Sequence, residues 1–119
     1  MALEQVPITV VETPLFLRKA EKILDDEDRA ALVLSIATAP EAGEIMPGTG
    51  GVRKLRWALE GRGKSGGARV IYYFHSDRMP VVLLSIYAKG AKVNLSQAER
   101  NELKALIPEL VRALAKGRR

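Results

Sequence analysis

The hydrophobic spacing changes period across residues 40–51, and that change limits the fold more than any other feature. Ahead of residues 40–51 apolar side chains recur at helical intervals; after them they alternate residue by residue. Phe16, Leu17, Ala20 and Leu24 make one helical stripe, and Ala30, Leu32, Val33, Ile36 and Ala37 a second. Thr13-Pro14 reads as an N-cap followed by proline at the first helical position, and Asp25 to Asp28 supply the acidic start of the next helix. The β-branched run Ile8-Thr9-Val10-Val11 predicts a strand in front of them, ending at Glu12. Gly43, Pro47, Gly48, Gly50 and Gly51 then break the helical period.

Beyond the break, alternation predicts three strands, over Val52–Leu59, Ala68–Phe74 and Val81–Lys89, joined by a glycine-rich hairpin loop at 60–67 and a turn at 75–80. Ser96-Gln97-Ala98-Glu99 fits a capping box opening a helix to about Ile107, with a kink expected at Pro108 before it continues to Lys116. The order β-α-α-β-β-β-α is an α+β plan: one domain over residues 1–119, a small antiparallel sheet with helices packed on one face and the other face open. Leu55, Trp57 and Leu59, then Val70, Tyr72 and Phe74, then Val82, Leu84 and Ile86 are assigned to the core side. Lys54, Arg56, Arg69, Tyr87 and Lys89 then gather on the open face, with neighbouring strands about 5 Å apart.

Charge follows the same division. Residues 1–52 hold four basic and nine acidic side chains, residues 53–69 six basic and one acidic, and residues 70–119 nine basic and four acidic. A chain of net charge +5 split in this way presents one surface suited to a polyanion, nucleic acid foremost, and another that avoids it. The absence of cysteine rules out a disulfide framework, a thiolate metal site and a cysteine nucleophile. No apolar run approaches the roughly 20 residues of a membrane helix, and Met1 to Gln5 carry no secretory pattern, so the expected location is the cytoplasm, with no membrane partner.

Two motifs are excluded by context. Gly61-Arg62-Gly63-Lys64-Ser65-Gly66 satisfies GxGxxG, and Gly63-Lys64-Ser65 resembles the end of a phosphate-binding P-loop. A P-loop needs glycine where Ala58 stands, and both motifs need a helix where a strand follows. Arg62 and Lys64 on this loop remain candidates for gripping a phosphate backbone, as do Arg53 and Lys92. His75 is the only histidine, so it has no histidine or cysteine companion for a metal, and adjacent Ser76 and Asp77 cannot form a triad with it.

The strings Gly48-Thr49-Gly50-Gly51-Val52-Arg53-Lys54-Leu55-Arg56-Trp57 and Gly61-Arg62-Gly63-Lys64-Ser65-Gly66-Gly67-Ala68-Arg69-Val70-Ile71-Tyr72-Tyr73 resemble the RelE/HigB-type toxins, as does Ile86-Tyr87-Ala88-Lys89 followed by Leu95-Ser96. Thr13-Pro14-Leu15-Phe16 resembles the HigB branch, and the likeness spans roughly residues 8–107. It implies a microbial-ribonuclease-like fold and a ribosome-dependent endoribonuclease, an mRNA interferase that cuts messenger in the decoding site of the 70S ribosome. It also implies a cognate antitoxin, a helix-turn-helix protein encoded nearby through which operator DNA would be bound.

By the same resemblance, Lys54 and Arg56 match the family's strand pair of cations and Arg69 the arginine opening the next strand. Tyr87 and Lys89 fall on the last strand, Lys89 where some members carry arginine or histidine. Attack of a ribose 2′-OH on its own 3′-phosphate needs a base, stabilisation of charge on the phosphoryl oxygens and a proton for the leaving 5′-oxygen, with no metal or other cofactor. Arg56 and Arg69 suit the charge, Lys54 is a candidate base, and Tyr87 could stack on a base or steer a proton. The assignment of acid and base stays open among these residues. A nucleic-acid-binding module that does not cut fits the same basic face, and differs by binding without cleavage.

Overall fold

The computed structural model describes residues 7–59, 67–90 and 95–116. Its elements are β1 (Val10–Glu12), α1 (Pro14–Ala20), α2 (Asp26–Thr38), β2 (Glu44–Ile45), β3 (Val52–Trp57), β4 (Ala68–Tyr73), β5 (Val81–Ala88) and α3 (Gln97–Lys116). The five strands form one sheet in the order β1-β5-β4-β3-β2, antiparallel except where β1 runs parallel to β5. The short β2, which pairs with β3 through Glu44–Lys54 and Ile45–Arg53, lies inside the glycine- and proline-rich stretch that breaks the helical period.

Helix starts follow the local chemistry. The Asp25 carboxylate accepts from the Asp28 N–H at 2.7 Å, and at α3 the Ser96 N–H donates to Glu99 Oε1 while the Glu99 N–H donates to Ser96 Oγ, a reciprocal capping box. α3 runs through Pro108 without ending there. Thr13 caps α1 by accepting from the Phe16 N–H at 3.2 Å, and its hydroxyl donates to the Leu83 carbonyl at 2.8 Å. The same residue thus starts a helix and ties that helix to β5.

Both faces of the sheet are covered, which corrects the expectation of helices on one side and an open face on the other. Phe16, Ala20, Leu32 and Ile36 of α1 and α2 pack with Val70, Tyr72, Val81, Leu83 and Ile86. On the opposite face Val52, Ile71, Tyr73, Val82, Leu84 and Tyr87 pack with Ile107 of α3, flanked by Leu103, Leu110, Val111 and Leu114. The apolar stripe of α3 therefore finds Ile71, Tyr73, Val82 and Leu84, apolar residues that alternation alone assigned partly to the other core.

β5 is where the period fails. Tyr72 stands opposite Leu83 but Ile71 stands opposite Ser85, so Leu84 is an extra residue, a β-bulge. Before the bulge Val81 and Leu83 face the α1/α2 core; after it Ile86 does, and Ser85 and Tyr87 take the other face. The expected set Val82, Leu84 and Ile86 is thereby divided between two cores.

One buried side chain fixes the connection from α2 to β2. The Tyr72 hydroxyl donates to the Pro40 carbonyl and accepts from the Gly43 N–H, each at 2.8 Å, and any Cβ on Gly43 would sit 2.8 Å from that hydroxyl. Burial raises the Tyr72 phenol above its ordinary value, partly offset by the Gly43 N–H and the Arg53 charge, with a smaller upward push from Glu41. Burial raises Tyr73 as well. The folded state keeps protons that the unfolded state releases, so this contribution to stability is whole below about pH 10 and is lost as pH rises through the folded values. Tyr72→Phe should cost about 1–3 kcal/mol at neutral pH, because two buried backbone groups lose their partner, and should flatten the alkaline loss. Urea denaturation from neutral to alkaline pH measures both; equal stability and equal alkaline slopes would contradict the assignment.

Candidate functional site

The register of β3, β4 and β5 builds two rows across the face that α3 partly covers. Arg56 stands opposite Arg69 and Arg69 opposite Tyr87; one step along, Lys54 stands opposite Ile71 and Ile71 opposite Ser85. Opposed residues share a face with Cβ atoms about 5 Å apart, and the rows are about 7 Å from each other. Three of the expected cations and the tyrosine are thus brought together by backbone pairing alone. α1 extends the second row, since Lys19 Nζ donates to Ser85 Oγ at 3.2 Å.

Arg56 is exposed and Lys54 and Arg69 are half-buried. The Arg69 guanidinium donates to the Ala68 carbonyl at 3.3 Å, and among the described residues no carboxylate comes within ion-pair distance of Lys54, Arg56 or Arg69. Glu44 stands opposite Lys54 across β2, whereas Arg56 and Arg69 stand opposite each other, and like charges so placed favour an anion between them. Tyr87 is only 6% exposed, so its ring is part of a wall rather than an open stacking platform. That wall belongs to a groove of about 440 Å³ between the sheet, α1 and α3, lined by Leu15, Lys19, Ser85, Tyr87, Glu99 and Leu106 among others.

The other expected site residues lie outside the two rows. Lys89 is exposed just beyond β5, its N–H donating to the Gly67 carbonyl at 2.9 Å. Arg53 pairs with Tyr72 and so belongs to the opposite face, where its Nη1 donates to the Glu41 and Gly43 carbonyls; it holds the 41–43 turn and is not brought to the cluster. Arg62, Lys64 and Lys92 lie outside the described residues. His75 sits beyond the far end of β4, its Nδ1 3.1 Å from the Tyr73 hydroxyl. A cleft of about 580 Å³ at that same end, among Ile8, Phe74, Asp77 and Arg78, is remote from both cation rows.

Lys19 and Ser85 were missed by sequence reasoning. The signal for Lys19 was its spacing four residues after Leu15, on the flank of α1 beside Phe16 and Ala20; Ser85 was the one serine in a strand otherwise of apolar residues and a tyrosine. Among the described residues no His, Asp or Glu side chains gather in a group of three able to hold a metal ion, and no helix is long and apolar enough to cross a membrane.

A family model described as the RelE toxin of the RelE/RelB toxin-antitoxin system matches residues 10–117. The chain belongs to the RelE toxin family. It is therefore the toxin of a toxin-antitoxin system, with an antitoxin as its partner, in a family whose toxins are typically endoribonucleases that inhibit translation by cleaving messenger RNA. The match runs from β1 through α3 and takes in every described residue of both cation rows.

In this RelE-family toxin the Arg56–Arg69 pairing should cost stability, as directly opposed like charges do. Arg56→Gln is expected to raise the unfolding free energy by about 0.5 kcal/mol at low salt, with the gain shrinking at about 1 M salt as screening shortens to about 3 Å. Chemical denaturation at the two ionic strengths tests this, and a variant no more stable than the parent at low salt would contradict it.

Proposed function

We propose that this RelE-family toxin, which resembles the HigB branch at Thr13-Pro14-Leu15-Phe16, is a ribosome-dependent endoribonuclease that cuts messenger RNA. The observation that supports this most is the row Arg56–Arg69–Tyr87, three directly opposed positions on one face with Lys54 one step along it.

In the proposed reaction the ribose 2′-OH gives its proton to a base, for which Lys54 is the candidate. The 2′-oxygen bonds to the adjacent phosphorus, the P–O5′ bond breaks, and the leaving oxygen takes a proton from Tyr87 or Lys89. The products are a 2′,3′-cyclic phosphate and a 5′-hydroxyl. Arg56 and Arg69 donate to the phosphoryl oxygens where charge accumulates. An arrangement of cations, without the histidine and glutamate of self-sufficient ribonucleases, depends on something else to align the 2′-oxygen with the scissile bond; the ribosome's decoding site would do this. The antitoxin, proposed to be a helix-turn-helix protein encoded nearby, would carry any contact with operator DNA.

Lys54→Ala and Arg69→Ala should each lower cleavage on programmed ribosomes by on the order of 10² to 10³, while co-sedimentation with ribosomes largely survives. Arg62→Ala, on the glycine-rich segment, should instead weaken co-sedimentation in a salt-dependent way with only a partial loss of cutting. Circular dichroism establishes that each variant folds. Undiminished cleavage by Lys54→Ala and Arg69→Ala would remove the catalytic assignment, and a parent that binds ribosomes without ever cutting would replace it with a binding module.

A further inference from the structure

An ammonium and a carboxylate line the groove beside the cation rows without meeting. Lys19 stands on the α1 bank, its Nζ donating to Ser85 Oγ at 3.2 Å, and Glu102 stands exposed on the α3 bank. Among the described residues no carboxylate comes within ion-pair distance of Lys19 and no cation within that distance of Glu102. Glu99, on the same bank, already caps α3 by accepting from the Ser96 N–H. The space of about 440 Å³ between the banks is edged by Leu15 and Leu106, which remain 43% and 37% exposed. Opposite charges held apart by apolar walls suit a flat, apolar-faced ligand with acceptors on one edge and donors on another.

Strand register relates this space to an RNA at the cations. Lys54, the candidate base for the 2′-OH, Ile71 and Ser85 are successive members of one row, and Ser85 lies two strand spacings, about 10 Å, from Lys54. That is about the reach of a nucleoside from its ribose to the far edge of its base. A ribose with its 2′-OH at Lys54 can therefore send its own base across Ile71 into the groove, where Leu15 and Leu106 cover the ring faces.

Edge chemistry selects among the four bases. An ammonium only donates and a carboxylate only accepts, while the Ser85 hydroxyl, which accepts from Lys19, keeps a proton to donate. Guanine turns two adjacent acceptors, O6 and N7, to such donors and two adjacent donors, N1–H and N2–H2, to a carboxylate. Adenine sets its N6 donor between the acceptors N1 and N7, and uracil sets N3–H between two carbonyls, so a carboxylate aligned with either also meets an acceptor. Cytosine offers a carboxylate one donor group only.

We infer that the groove between α1 and α3 is a guanine subsite for the nucleotide whose 2′-OH attacks, with Lys19 and Ser85 on O6 and N7 and Glu102 on N1–H and N2–H2. Cleavage then follows guanosine. This rests on the ribonuclease reading proposed above, and its test separates the two.

The full chain is incubated with ribosomes programmed with messenger of mixed sequence, and the nucleotide bearing each 2′,3′-cyclic phosphate is read by end-specific sequencing. In parallel, guanosine 3′-monophosphate and adenosine 3′-monophosphate are titrated onto the chain alone and followed by NMR chemical shifts. The parent should leave guanosine at most cyclic-phosphate ends and bind the guanosine nucleotide at least about tenfold more tightly. Glu102→Ala and Lys19→Ala should each lower the ratio of guanosine to adenosine ends by about tenfold, and Lys19→Arg, which keeps donors for O6 and N7, should restore most of it. A loss of stability alone changes the yield of ends and not their base.

Ends spread evenly over the four bases, or a guanosine preference that both alanine variants leave within about twofold of the parent, would overturn the subsite and leave the ribonuclease reading standing. If Lys19→Ala loses its thermal transition, Glu102→Ala, a change at an exposed position, decides. A parent that never cuts, yet prefers the guanosine nucleotide and loses that preference in Glu102→Ala, would overturn the ribonuclease reading and support the subsite. Neither cutting nor nucleotide preference would overturn both.

Discussion

The placement of a single extra residue in β5 governs what the sheet can present. Val81 and Leu83 must face the core made by α1 and α2, and simple alternation would then turn Ser85 and Tyr87 toward that core as well. The bulge at Leu84 changes the parity, so that Ile86 enters the core and Ser85 and Tyr87 join Ile71 and Arg69 on the opposite face. Thr13 fixes the strand at this point, its N–H and its hydroxyl both donating to the Leu83 carbonyl while the hydroxyl also caps α1. Helix start, strand bulge and site geometry therefore meet at one contact.

The face so produced is divided between two tasks. Toward the β4–β5 turn it is apolar and lies beneath α3, where Val52, Tyr73 and Val82 surround Ile107. Toward the start of β4 it carries Lys54, Arg56 and Arg69; Glu44 stands opposite Lys54 across β2, but among the described residues no carboxylate lies within ion-pair distance of the three. Concentrated like charge is a cost in the unliganded fold, and it becomes favourable when a polyanion or an acidic partner segment arrives.

Much of this was legible in the sequence where the rules are local. The N-caps at Thr13 and Asp25, the Ser96–Glu99 box, the strand periods of β3 and β4 and the shared face of Lys54, Arg56 and Arg69 follow from spacing of one to four residues. What escaped depends on long-range packing. β5 is apolar on both faces, so its sequence carries no parity to reveal the bulge. The side of the sheet taken by α3 follows from where Tyr73 and Val82 need cover, which alternation does not show. Arg53 looks like its neighbours Lys54 and Arg56 in sequence, yet the pleat sends it to the other face, against the Glu41 and Gly43 carbonyls. Lys19 reaches Ser85 only because α1 lies along β5.

The central claim is that the paired rows on this face perform 2′-OH attack on messenger RNA, and the ends left by cleavage report it most directly. RNA from cells expressing the parent chain should contain 5′-hydroxyl ends within coding sequences, each matched by a 2′,3′-cyclic phosphate on the upstream fragment. Both should fall to background when Arg56 and Arg69 are replaced together by alanine. Coding-sequence cuts bearing 5′-phosphates, or 5′-hydroxyl ends that persist undiminished without the two arginines, would contradict the account.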